Sequence, residues 1–266
     1  MLDGYVAAGT VGMWNFRADT LYQKWLRDMA DAQAPDGSVP SIVPSPNWWG
    51  LLDPWWGGAC AAVAWDLYER YGNEQVLREQ FPAMRRFVDY MGARARGHLL
   101  DYSLGDWLEV GSNGPANRTP VEITSTMAYF HCARIVGRTA RLMGDDDAAR
   151  RYLDLAEQVR TALNRKYFDT ARHRYAPDSQ SASAMGLVLG IVPDSERPAV
   201  FAEFVRNIRE DRKGHISTGI VGTRFVFEAL HAGGRDDPPS HVSQSVVAPF
   251  FSMWTHPGKS GWVRIS

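Results

Sequence analysis

Cysteine is nearly absent: Cys60 and Cys132 are the only two in 266 residues. Both lie in apolar, helix-like stretches, so they read as small buried side chains, not as a bridge or the start of a thiolate metal site. Also missing is any run of eighteen apolar residues, so no segment is expected to cross a bilayer. The opening Met1-Leu2-Asp3-Gly4-Tyr5 lacks the charged and apolar regions of a signal peptide, and the chain as it stands reads as cytoplasmic. Nor is one sign of charge in excess. The 29 Lys and Arg balance 30 Asp and Glu to a net charge of -1 and are interspersed along the chain, which argues against nucleic acid as partner. His98, His131, His173, His215 and His231 show no metal-ligand spacing and read as surface or satisfied interior residues. Gly105, Gly111 and Gly114 follow no strand, so they form no nucleotide fingerprint. No metal and no cofactor is implied.

Tryptophan is what the chain has in excess. Seven of the ten stand at or before residue 65: Trp14, Trp25, Trp48, Trp49, Trp55, Trp56 and Trp65. Indole faces pack against the C–H groups of sugar rings and also fill cores, so the clustering suggests carbohydrate without separating the two uses.

Apolar residues recur at three- and four-residue steps through most of the chain, which is the helical period. Residues 17–33 make one such helix, preceded by a short apolar partner over 6–16. Residues 60–71 and 74–95 are separated by the stop signal Gly72-Asn73 and form a helical hairpin. The first helix of a third hairpin is expected from Thr119, as cap, to about Met143, with Pro120 at the first helical position and Glu122 completing a capping box. Gly144-Asp145-Asp146-Asp147 then turns the chain into a helix ending near Tyr167. Residues 180–191 and 195–212 make the next pair, and 218–231 begins another. This amounts to about nine helices and no convincing strand. The first member of each pair is richer in apolar and small residues, which implies an inner and an outer layer. Hairpins arranged this way form either a toroid or a solenoid. Their irregular spacing lacks the fixed period of a solenoid, so an all-α toroid of (α/α)6 type is expected, incomplete at about nine of twelve helices.

Three long loops, 34–56, 97–119 and 169–179, precede inner helices, where a rigid scaffold can present binding groups. The first holds the turn Asp36-Gly37-Ser38-Val39-Pro40, then Trp48, Trp49, Asp53, Trp55 and Trp56, as either a sugar platform or a structural plug. The second holds Gly105-Asp106-Trp107-Leu108-Glu109, an acid beside an indole, suited to gripping a hydroxylated ring. Glycoside hydrolysis needs two carboxyl groups across the scissile bond. Asp53, Asp106, Glu109, Glu122 and Asp178 lie near the loops, and Asp106 and Asp53 are the weak catalytic candidates among them. An Asp in a Gly-Asp-Trp turn is equally a turn former or helix cap.

These residues carry a resemblance. Residues 22–33 with Asp36-Gly37-Ser38-Val39-Pro40, then Asp53-Pro54-Trp55-Trp56-Gly57-Gly58-Ala59, Tyr68-Glu69-Arg70-Tyr71-Gly72-Asn73 and Gly105-Asp106-Trp107-Leu108 follow one family's order. So do Thr119-Pro120-Val121-Glu122, Asp178-Ser179-Gln180 and Ser217-Thr218-Gly219-Ile220-Val221-Gly222-Thr223. Together they resemble the catalytic domain of bacterial α-L-rhamnosidases, glycoside hydrolase family 78, over about residues 5–231. The resemblance implies an (α/α)6 barrel that releases terminal α-L-rhamnose with inversion. It points to Trp56, Asp106, Trp107, Gln180 and Thr218 as the substrate-binding positions.

Two departures accompany it. The family's Asp is replaced by Gly58. Neither the Asp-Cys-Pro-x-Arg-Asp-Glu type motif of the general acid nor the Thr-x-Trp-Glu type segment of the general base is present, so no catalytic residue is matched. From about residue 234 the helical step and the likeness fail together, and the sequence to Ser266 contains no Glu. The expected organisation is therefore a partial glycosidase domain over 1–232 and an irregular or divergent tail over 233–266, as a shifted reading frame would leave. The function expected is that of a rhamnosidase-like module, inactive by itself, whose open ring would favour self-association. The alternatives are a non-catalytic carbohydrate-binding toroid and a related six-hairpin glycosidase of other sugar specificity, such as a uronic-acid-processing hydrolase.

Overall fold

The computed structural model describes residues 11–44, 52–112, 114, 116 and 118–234. Trp48, Trp49, the start of the short helix expected over 6–16, and all of the tail beyond Gly234 lie outside the described residues.

The elements follow in chain order. Helices α1 (Val11–Asn15) and α2 (Asp19–Asp31) come first, then the single turn α3 (Pro54–Gly57), α4 (Ala59–Tyr71) and α5 (Glu74–Arg94). After the second loop come α6 (Val121–Met143) and α7 (Asp146–Tyr167), a small ribbon of β1 (Phe168–Asp169) and β2 (Arg174–Tyr175), α8 (Gln180–Leu189), α9 (Arg197–Arg206) and α10 (Ile220–Ala232).

The pairs α4/α5, α6/α7 and α8/α9 are hairpins, and α4, α6, α8 and α10 pack successively side by side as an inner row. Burial explains the layering. Residues around nearly the whole circumference of α6 and α8 are buried, whereas α5 and α7 bury one stripe and turn Arg, Glu and Asp outward. Asn73 caps α5 through Val76 N at 3.1 Å, and Asp145 caps α7 through Ala148 N at 3.0 Å, at the two turns where the sequence carries a stop signal. Among the described elements α10 packs on α8 and has no comparable contact with α2, so the helices form an open arc. Trp14, Phe16 and Leu21 are exposed near one edge of it and Phe227 on α10.

Several local expectations need correction. The third loop is not free of strand: Phe168 pairs with Tyr175 and Asp169 with Arg174 in an antiparallel ribbon. The helix expected over 195–212 is split into a 3-10 turn (Asp194–Glu196), α9 and a π turn (Asn207–Asp211). The capping box at 119–122 does not form, because the side chains of Thr119 and Glu122 are taken by tertiary partners described below and Pro120 occupies the cap position. Gly58 stands where an Asp does not fit, since a Cβ there would lie 2.4 Å from Pro54 O and 3.0 Å from Cys132 Sγ. Both cysteines are buried and unbridged.

Candidate functional site

The inner helices α4, α6, α8 and α10 each start where a long loop or the last turn delivers the chain, and the residues singled out in the sequence gather at these starts. Asp53 is the cap of α3. Its Oδ1 accepts from Trp55 N at 2.7 Å and Trp56 N at 3.2 Å, while Oδ2 accepts from Leu104 N at 2.6 Å and so ties the first loop to the second. Asp106, with no exposed surface, closes the next junction. Its Oδ1 accepts from Val221 N at 3.0 Å and Gly222 N at 2.8 Å, and its Oδ2 from Gly219 N at 2.7 Å and from the Ser181 hydroxyl. Gly219 stands at the cap position of α10 and has no side chain to cap with, so a carboxylate from a distant loop satisfies the free N–H groups of that helix. The partial positive charge of the helix start favours the same placement.

Burial, the largest influence, pushes the Asp53 and Asp106 carboxyls up to about 6, against hydrogen bonds that pull both downward. A carboxyl near 6 is also what a general acid requires. Here, however, both oxygens of each carboxyl already accept from backbone amides and, at Asp106, one hydroxyl, and both side chains are closed to solvent.

The other three carboxylates are engaged too. Glu109, also buried, accepts from Arg118 N at 2.7 Å, Thr119 N at 3.0 Å and the Thr119 hydroxyl. Thr119 in turn meets Ser179, the cap of α8, at 2.6 Å, which joins the second loop to the third. Glu122 receives Lys166 and the Tyr167 hydroxyl from α7, and Asp178 receives Asn207 Nδ2 at 3.0 Å and faces Arg174 at 3.3 Å. Asp53, Asp106, Glu109 and Asp178 thus brace the loops, while Glu122 ties α6 to α7.

Of the positions expected to contact substrate, Gln180 is buried with its amide committed: Nε2 donates to Asn207 Oδ1 at 3.0 Å and His215 O at 3.3 Å, and Oε1 accepts from Ser217 N at 2.7 Å. Thr218 is buried against Thr223, Oγ1 to Oγ1 at 2.8 Å. Trp56 is 4% exposed. Trp107 alone of the five is partly open. Its carbonyl accepts from Ile220 N at 2.8 Å, Leu108 N bonds Gly114 O at 2.7 Å, and the indole lies over Gly114. Beyond it Leu108 and Val110 form an exposed apolar lip.

Trp55 is a plug. It is buried, its Nε1 donates to Thr124 O at 2.9 Å, and its ring centroid lies 5.4 Å from that of Phe225 and 6.0 Å from that of His131. Among the described residues the buried Nδ1 of His131 has no hydrogen-bond partner. Burial above all, and then Arg134, Arg224 and Arg138, push its pKa down to about 3, so the ring stays neutral. Sequence reasoning missed this layer of Trp55, His131 and Phe225 beneath the loop cluster. No local pattern reports it, because its members come from three separate elements.

An arc of helix hairpins whose inner helices all start under one cluster of carboxylate-braced loops defines a domain of the six-hairpin glycosidase type. The chain belongs to the bacterial alpha-L-rhamnosidase six-hairpin glycosidase domain family, whose sequence pattern matches residues 3–260. An alpha-L-rhamnosidase of Streptomyces avermitilis is 33% identical over 239 residues, 90% of this chain and 22% of that protein. Among solved structures, an alpha-L-rhamnosidase from Dictyoglumus thermophilum superposes with a TM-score of 0.84 at 28% identity, covering 92% of this chain and 27% of that one. The Streptomyces avermitilis enzyme complexed with L-rhamnose does so with a TM-score of 0.75 at 31% identity, covering 83% and 21%. The chain thus spans about a quarter of the length of the relatives it matches. Among the described residues, no helix is long and apolar enough to cross a membrane.

Proposed function

We propose that this chain forms the sugar-holding wall of an α-L-rhamnosidase module that acts on terminal α-L-rhamnose by inversion, and that the chain by itself binds without turning over. Membership of the rhamnosidase family supplies the class of substrate. The observation that carries the reading to particular residues is the half-open Trp107 indole, fixed by its own backbone bonds and by Asp106 at the start of α10. A half-open indole anchored near the starts of the inner helices can stack on the apolar face of a deoxy sugar.

Chemistry needs more. Inversion calls for one carboxyl to protonate the leaving oxygen and another, roughly 6.5–9.5 Å away, to activate water. All five carboxylates near these loops accept from protein donors, and Asp53, Asp106 and Glu109 are buried with both oxygens held. Titration of L-rhamnose by calorimetry into the wild-type chain and Trp107→Ala tests the binding half. The variant should bind more weakly by about 1–3 kcal/mol, the scale of a lost aromatic contact at a binding hot spot. Equal affinities would remove Trp107 from the site.

A further inference from the structure

A second concavity lies between α5 and α7, with Tyr129 of α6 in its lining. A groove of about 570 Å³ runs between the C-terminal half of α5 and the first half of α7, bounded at one end by the tight turn at Gly97 and His98. That volume lies within the range of small-molecule sites, roughly 300–1,000 Å³. None of the positions expected to contact substrate at the loop cluster lines it.

The floor is the informative part. Tyr129 reaches outward from α6 with only 1% of its surface exposed, and its hydroxyl has no hydrogen-bond partner among the described residues. Gly92 keeps the hydroxyl open to the groove, because a Cβ there would stand 2.9 Å from it. A buried phenol aimed into a concavity without a partner is a hydrogen-bonding group waiting for a ligand or water.

The rest of the lining indicates what kind of ligand. Asp89 and Arg151 neutralise each other, Nη2 to Oδ1 at 2.8 Å, and Asp89 also accepts from the Tyr152 hydroxyl at 2.9 Å, so that pair presents no net charge. What remains facing the groove is one carboxylate, Asp154, the amide of Gln158 and the imidazole of His98, with Val88 and Leu155 as apolar wall. Donors and acceptors spaced around a shallow apolar strip suit a neutral polyhydroxylated ring. They do not suit a multiply charged anion, which would meet Asp154, nor a bare cation, which would meet no second free carboxylate.

We propose that this groove is a second sugar site, taking one neutral pyranose: Tyr129 Oη bonds a ring hydroxyl at the floor, Asp154 and Gln158 bond hydroxyls at the rim, and Leu155 covers a C–H face. The inference does not depend on Trp107 or on rhamnose being the substrate of the loop cluster.

The test is an amide NMR titration of the whole chain with methyl α-L-rhamnopyranoside and, separately, methyl α-D-glucopyranoside. Saturable shifts are expected around Gly92, His98 and Tyr129 for at least one probe. Gln158→Trp, an exposed change that fills the groove without touching the core, should weaken them by roughly tenfold or more, and Tyr129→Phe should weaken them with the fold unchanged by circular dichroism. Trp107→Ala should leave them in place, which separates this site from the first. The proposal is overturned if neither probe gives saturable shifts there at roughly 50 mM, if the shifts survive Gln158→Trp, or if they vanish with Trp107→Ala.

Discussion

Asp106→Ala is expected to lower the stability of the domain by about 3–5 kcal/mol, a large share of the roughly 5–15 kcal/mol available to a typical domain. The carboxylate is the sole hydrogen-bond acceptor shown for Gly219 N, Val221 N, Gly222 N and the Ser181 hydroxyl, and all four lie at a buried junction between the second loop, α8 and α10. Removing it orphans several donors at once and withdraws the negative charge from the start of α10. Asn is no substitute, because its amide nitrogen would point donor to donor at one of the backbone N–H groups. Urea denaturation of wild type, Asp106→Ala and Asp106→Asn should show both variants shifted to lower midpoints with an unchanged slope. Glu157→Ala serves as the control. It breaks only an exposed contact with Arg160 and should cost less than about 1 kcal/mol. A midpoint for Asp106→Ala equal to that of the control would show that the carboxylate does not hold the junction together.

The second large effect concerns turnover. On an aryl α-L-rhamnoside, the chain alone should be at least about 10⁴-fold slower than the same chain joined to flanking segments that carry the family's general-acid and general-base motifs. Loss of one proton-transfer group ordinarily costs about 10²–10⁴ in rate, and here both motifs are missing from the sequence. The structure adds that no carboxylate among Asp53, Asp106, Glu109, Glu122 and Asp178 is released from its partners to replace them. Turnover by the unextended chain within about tenfold of the extended one would refute this reading and favour Asp53 and Asp106, whose carboxyls burial pushes up to about 6.

Most of the helices were legible because their signals are local. The three- and four-residue step in α2, α5 and α7 repeats within a single segment, and the stops at Gly72-Asn73 and Gly144-Asp145 work through backbone geometry and a side chain three residues away. The failures are equally physical. Thr119, Pro120 and Glu122 spell a capping box, yet Glu109 and Ser179 compete for the Thr119 hydroxyl while Lys166 and Tyr167 draw Glu122 outward. A two-residue ribbon such as Phe168–Asp169 with Arg174–Tyr175 is too short to show an alternating pattern.

The candidate site divides along the same line. Its membership could be read from motifs: Asp53, Trp56, Asp106, Trp107, Gln180 and Thr218 do collect at the starts of the inner helices. Their roles could not, because an Asp in a Gly-Asp-Trp turn has the same neighbours in sequence whether it faces a sugar or the N–H groups of a helix more than a hundred residues away. By itself, then, the sequence determined the helical hairpins, their inner and outer faces and the family to which the chain belongs, since periodicity, caps and motif order are all written within short windows. Only the tertiary structure decided that Asp53, Asp106, Glu109 and Asp178 brace the loops, that Trp55 plugs the inner row over His131, and that Tyr129 opens onto an outer groove, since each of these depends on which distant donor, ring or glycine the fold brings within a few ångströms.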